Sequence, residues 1–219
     1  MSYPTHVAAA LSGATLRQLS YWRQRTNGRT PLLVPEVRSR GRLLYSFRDI
    51  IALRTFVYLR EELPLQRIRK AVDNLRELGN TDHLSSYRLY SDGQSVLWSD
   101  DREDHGLVDL YKMPGQYVMK AVMRDILKPF KNRQGEQVVD LLMPRRHVRV
   151  DPDVKGGYPV ILHTRIPYDL VGGLVADGMP VDDVAYFYPT VNAEAAKDAH
   201  DFFLYVERIR SHDLGAAAG

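Results

Sequence analysis

Residues 5–25 read THVAAALSGATLRQLSYWRQR, and their spacing decides how the chain begins to fold. Thr5 can cap a short helix that buries Val7, Ala8 and Leu11, and Ser12-Gly13 breaks it. Thr15 can cap a second helix running to about Arg25. On it Leu16, Leu19 and Trp22 recur at i, i+3 spacing and would face a core. Arg17, Gln18, Tyr21, Gln24 and Arg25 form a polar stripe on another face. Two helices joined by a tight turn, the second with a basic outer face, make a helix-turn-helix.

The pattern continues outward from there. The apolar runs Leu32-Leu33-Val34 and Leu43-Leu44-Tyr45 flank Arg38-Ser39-Arg40-Gly41-Arg42, which predicts two short strands around a basic turn, a wing. Ser46 and Asp49 have capping-box spacing and predict a helix carrying Phe47, Ile50, Leu53 and Val57. Pro64 opens a further helix with Leu65, Ile68, Val72, Leu75 and Leu78 on its apolar face, and Gly79 ends it.

The ordered set Val7-Ala8, Leu11-Ser12-Gly13, Leu19, Tyr21-Trp22, Arg42-Leu43-Leu44-Tyr45-Ser46, Asp49-Ile50 and Leu53 resembles the DNA-binding domain of MerR-type regulators over about residues 3–78. The chain departs from that pattern at Ser20, in the stretched link from Thr26 to Pro35, and in lacking an obvious long dimerisation helix. The resemblance implies that Thr15, Arg17, Gln18, Tyr21 and Arg25 on the second helix meet double-stranded DNA. It implies the same for Arg38, Arg40, Arg42 and Tyr45 of the wing. Phosphate contacts would supply salt-dependent affinity and base-edge contacts specificity.

Charge is segregated along the chain. Residues 1–80 carry 14 Lys/Arg against 6 Asp/Glu, residues 81–150 carry 11 against 10, and residues 151–219 carry 5 against 11. A basic head and an acidic tail point to an anionic partner at one end and a different partner at the other. Arginine supplies 13 of the head's basic residues, and its planar fork suits phosphates and base edges. With no cysteine there are no thiolate metal sites, disulfides or cysteine nucleophiles. No apolar run approaches the ~20 residues that span a bilayer, and no secretory leader is legible. The expected location is therefore cytoplasmic.

In the middle, Leu84 to Tyr90 and Ser95 to Trp98 flank an Asp-Gly turn and read as a hairpin. Leu107 to Tyr111 and Gln116 to Met119 read as further strands, although Val118, Val122, Ile126 and Phe130 also have helical spacing. Lys131 to Gly135 is a predicted turn and Val138 to Leu142 a predicted strand. Asp82, His83, Asp104 and His105 fall on predicted loops without metal-ligand spacing, so no metal or other cofactor is expected. No catalytic constellation stands out either, and the chain is read as a non-enzyme.

The tail reads as strand, turn and strand from His147 to Ile161, followed by three helices: Tyr168 to Ala176, Pro180 to Tyr188, and one capped by Asn192. Asp151-Pro152, Gly156-Gly157, Pro159-Val160-Ile161, Thr164-Arg165-Ile166-Pro167, Gly178-Met179 and Tyr188-Pro189 resemble a small bacterial domain of unknown function. That domain is common in antitoxins of VapBC-like pairs, and the likeness covers about residues 147–207.

The predicted architecture is α+β. It has a winged-helix head over 1–80, a β-containing middle over 81–146, a three-helix tail over 147–210 and a disordered end over 211–219. The two resemblances together imply an antitoxin that represses its own operon as a homodimer and neutralises a small PIN-like ribonuclease. The rival reading is a MerR-like transcription regulator sensing a small molecule through its middle and tail. Asp182, Asp183, Asp198 and Asp201 are the expected partner-binding acids, and Phe202, Phe203 and Tyr205 an expected dimer contact. Head and tail are expected to work as separable modules, with 1–146 binding DNA alone.

Overall fold

A computed structural model of the chain describes residues 2–25, 30–39, 42–78, 83–86, 88–91, 94–99, 107–109, 116–118 and 126–216. Helix α1 (Thr5–Ser12) buries Val7 through Ser12. It starts behind Pro4, so Thr5 is its first helical residue and not its cap. Gly13 ends it at φ 77°, its N–H donating to the Ala9 carbonyl. A Cβ at Gly13 would lie 2.4 Å from the Val138 side chain, so both the dihedral and the space require glycine. Helix α2 (Leu16–Arg23) opens on a capping box: Thr15 Oγ1 accepts the Gln18 N–H and Gln18 Oε1 accepts the Thr15 N–H. Leu19 and Trp22 are its buried residues, and Trp22 meets Phe56 edge-on at 5.9 Å.

The wing is formed with its second strand where expected, but its first strand comes from Val37–Ser39 and not from Leu32-Leu33-Val34. Strands β1 (Val37–Ser39) and β2 (Arg42–Leu44) pair antiparallel, Val37 opposite Leu44. Leu32 and Leu33 are both buried, and both of their N–H groups donate to the Trp22 carbonyl. A strand would turn one of them outward; the core instead takes both. Helix α3 (Phe47–Glu62) starts at the predicted Ser46–Asp49 box. Helix α4 (Leu65–Glu77) follows Pro64 and buries Ile68, Val72 and Leu75, whereas Leu78 stays 44% exposed.

The middle is a four-stranded antiparallel meander of β3 (Arg88–Ser91), β4 (Val96–Ser99), β5 (Leu107–Asp109) and β6 (Gln116–Val118). Pairing of Leu107 with Val118 resolves the strand-or-helix ambiguity at Gln116–Val118 in favour of strand, while residues 119–125 lie outside the described residues. A hairpin of β7 (Phe130–Lys131) and β8 (Gln137–Val138) comes next. The strand expected as far as Leu142 stops at Val138 because the following backbone bonds elsewhere. The Leu141 N–H donates to the Leu127 carbonyl, and the Leu142 and Met143 N–H groups donate to Asp140 Oδ1.

The tail pairs β9 (Val148–Arg149) with β10 (Val160–Ile161). It continues through α5 (Tyr168–Ala176), a 3-10 turn at Val181–Asp183, α6 (Val184–Phe187) and α7 (Ala193–Ala216). The Ala195 N–H donates to Asn192 Oδ1, the expected cap. Helix α7 carries on to Ala216, well into the stretch predicted to be disordered.

Head and tail are not separate modules. Helix α7 packs on α1 and α2 of the head as well as on α5 of the tail, and buried residues of all three regions join in one apolar cluster. The Tyr3 hydroxyl donates to the Gly157 carbonyl at 2.6 Å and the Tyr205 hydroxyl to the Ala10 carbonyl. Phe202 is fully buried against Tyr168 at 4.7 Å, and Phe203 lies over Gly172. Of the aromatics expected at a dimer contact, Phe202 is thus interior, while Phe203 and Tyr205 are partly buried against the chain itself. Arg54, fully buried on α3, completes the connection. Its guanidinium donates to the carbonyls of Leu11, Ile126, Lys128 and Val139 and lies over the Phe130 ring.

Candidate nucleic-acid interface

Burial of Leu19 and Trp22 turns the opposite side of α2 outward. Arg17 is exposed there and Tyr21 is 43% exposed, whereas Arg25, expected on the helix, is exposed just past its end, because α2 stops at Arg23 with Gln24 extended. The Arg69 guanidinium from α4 sits over the Tyr21 ring at 5.1 Å, adding a cation beside the stripe. Arg69 escaped the sequence reading, because its spacing places it on α4 and only tertiary packing brings it to α2. Gln18 is half-buried and its carbonyl oxygen is used in the cap, so only its amide nitrogen remains to donate. Thr15 is exposed, with its hydroxyl spent as the cap. Gln24 donates to Ser20, which fixes both along the same face.

On the wing, Arg42 is exposed opposite Ser39 in the β1–β2 register. Arg38 pairs through its backbone with Leu43, but its side chain lies outside the described residues, as does all of Arg40. Tyr45 needs correction. It is 1% exposed, its backbone pairs with Tyr3, and burial raises the pKa of its phenol. It ties the end of the wing to the segment that precedes α1 and presents no surface to DNA. Arg17, Arg25 and Arg42 form no ion pair with another described residue, so each leaves its full charge for an anion. Unpaired exposed arginines on α2, just past its end and on the wing provide the electrostatics that a phosphate backbone requires.

Glu36, Asp49 and His83 bring ligand-type atoms within 4.8 Å of one another, a cluster the sequence reading did not assemble. Each atom set is already engaged in closing α3. Asp49 Oδ2 accepts the N–H groups of Ser46 and Glu36, and Asp49 Oδ1 faces His83 Nε2 at 3.1 Å. The Ser46 hydroxyl donates to Glu36 at 2.6 Å. This arrangement is a helix cap extended by one histidine.

The tail acids divide. Asp182 and Asp183 are exposed on the 3-10 turn and Asp201 is exposed on α7. Asp198 is not free: its Oδ2 accepts the His147 backbone N–H at 2.9 Å and lies 2.7 Å from His147 Nδ1. Beside Asp183 lies an open groove of about 580 Å3, lined by Leu174, Met179, Tyr186 and Phe187 among others. Tyr186 is 84% and Phe187 65% exposed. The spacing of α5 and α6 gave no warning of this patch, since both residues read equally well as core. A second cavity, of about 510 Å3, lies against the first turn of α2, walled by that turn, the β7–β8 hairpin and α7. Among the described residues no helix is long and apolar enough to cross a membrane.

Residues 3–75 match the MerR HTH family of regulatory proteins, and residues 148–203 match a protein family of unknown function, DUF433. The uncharacterized protein y4eO of Sinorhizobium fredii is 37% identical over 68 residues, 31% of either chain, so this chain spans under a third of that relative in the match. The crystal structure of Rv2018 from Mycobacterium tuberculosis shares the fold, with a TM-score of 0.51 at 17% identity over 90% of this chain and 96% of that one. The chain carries a MerR-family helix-turn-helix domain, a type associated with DNA binding and regulation, at its N-terminus and a DUF433 domain at its C-terminus.

Proposed function

We propose that the chain is the antitoxin of a type II toxin–antitoxin pair, repressing its own operon through α2 and the wing and neutralising a PIN-like ribonuclease through its tail. One observation carries the reading: a helix-turn-helix with unpaired exposed arginines shares its chain with an acidic tail that exposes two large aromatics. Exposed aromatics in a groove are the usual anchors of protein interfaces. Here Asp182 and Asp183 flank them, which suits the basic groove of an RNA-cleaving enzyme. Operator binding is as a homodimer, because one helix-turn-helix covers one half-site. Its contact lies outside Phe202 and Tyr205, which are spent internally.

The test is coexpression of the full chain with the open reading frame next to it. Copurification and loss of that partner's ribonuclease activity are expected, with Tyr186→Ala and Phe187→Ala together abolishing both. A neighbour that neither binds nor cleaves RNA refutes the antitoxin role. A second reading, a MerR-like regulator sensing a small molecule, has the cavity beside α2 in its favour.

A further inference from the structure

The cavity against the first turn of α2 is assembled from three distant stretches of chain. Leu16 and Arg17 come from the head, Glu136 and Val138 from the hairpin, and Arg208 and Ile209 from α7. Its volume of about 510 Å3 lies within the range of small-molecule sites, and such sites favour junctions of this kind. Leu16, Val138 and Ile209 give it an apolar wall. Its charged groups are Arg17, Arg208 and Glu136. Glu136 accepts the Asn132 amide at 2.9 Å and keeps its negative charge, so the two arginines, neither paired with a described side chain, leave the lining with a net positive charge. A cavity lined by an apolar wall, two unpaired arginines and several neutral polar side chains suits an anion with an apolar body.

We propose that this cavity binds an amphipathic organic monoanion, its apolar body against Leu16, Val138 and Ile209 and its carboxylate or sulfonate held by Arg17 and Arg208, and that occupancy withdraws Arg17 from DNA. The second half rests on the reading of α2 as the recognition helix. Arg17 lies on the cavity wall and on the outward stripe of α2 together, so one guanidinium serves either the bound anion or a phosphate. The two ligands are therefore antagonists, and by linkage each weakens the other by the same factor.

The test uses 8-anilinonaphthalene-1-sulfonate and its uncharged counterpart N-phenyl-1-naphthylamine, titrated into the full chain by fluorescence. The sulfonate binds saturably with one site per chain. Arg208→Gln weakens it by about tenfold or more, the loss of one charge-assisted hydrogen bond, and leaves the uncharged probe unaffected. Ile209→Trp, which fills the chamber, weakens both. Saturating sulfonate then lowers affinity for the DNA upstream of the chain's own coding sequence by about fivefold or more. Sulfonate binding that is non-saturable, or indifferent to both substitutions in chains with unchanged melting temperature, overturns the site. Saturable, Arg208-dependent binding with unchanged DNA affinity overturns the antagonism. A chain that binds the sulfonate as described but never binds DNA refutes the reading of α2 and leaves the site standing.

Discussion

Removing the Arg54 guanidinium would strand the carbonyls of Leu11, Ile126, Lys128 and Val139 inside the protein at once. Hydrogen bonds to a charged donor contribute about 1.5–3 kcal/mol each, and losses at one centre are not additive. Arg54→Ala is expected to cost at least about 3 kcal/mol of unfolding free energy, read from a urea midpoint; a loss under about 1 kcal/mol would remove Arg54 from this role. His6 reports on the same junction from the other side, on α1 beneath α7. Burial, and then the charge of Arg210, lower its pKa from the ordinary 6.5. The unfolded chain therefore takes up the proton first. The stability tied to His6 is complete above 6.5 and is lost as pH falls from there through the lowered folded value. Melting temperature should fall between about pH 7.5 and about pH 5.5, and His6→Gln should flatten that fall. An identical slope in the variant would show that other groups set it.

Between elements, α5 packs tightly against α7 in the tail. A Cβ on Gly172 would sit 2.5 Å from the Phe203 Cβ and 2.8 Å from the Ala199 carbonyl, whereas one on Gly173 would meet nothing. Gly172→Ala should therefore cost about 1–3 kcal/mol through overpacking, and Gly173→Ala should be neutral or gain up to about 1 kcal/mol. Equal effects would contradict the packing. The elements legible in the sequence were those with local chemistry. Ser46–Asp49 and Thr15–Gln18 announce helices because the cap hydrogen bonds are made within four residues of chain. Leu32-Leu33 misled because a short apolar run looks alike whether it pairs as a strand or plugs a core. Tyr45 misled because adjacency to a wing says nothing about which side of it faces the core. Asp198 read as a free acid because its partner, His147, comes from a distant stretch of chain.

At the scale of the molecule, composition showed the segregation of charge but not the junction that unites the charged ends. Tyr3–Gly157, Tyr205–Ala10 and the Arg54 bonds all join residues that are remote in sequence, and no periodicity encodes such pairs. The consequence is that residues 1–146 alone lose the α7 face that covers α1. That fragment is expected to be unfolded or molten by circular dichroism, with no DNA binding of its own. A cooperatively melting fragment with full DNA affinity would restore the picture of separable modules.

If α2 and the wing grip DNA through unpaired arginines, the salt dependence of binding must change when those arginines are removed. This is tested most directly by fluorescence anisotropy of the full chain on the DNA upstream of its own coding sequence, over a range of salt concentrations. Arg17→Ala and Arg42→Ala should each weaken binding and each reduce the slope of log affinity against log salt by about 1, with Asp182→Asn as a folded control that changes neither. If both arginine variants keep wild-type affinity and slope while melting normally, the interface lies elsewhere and the account is wrong.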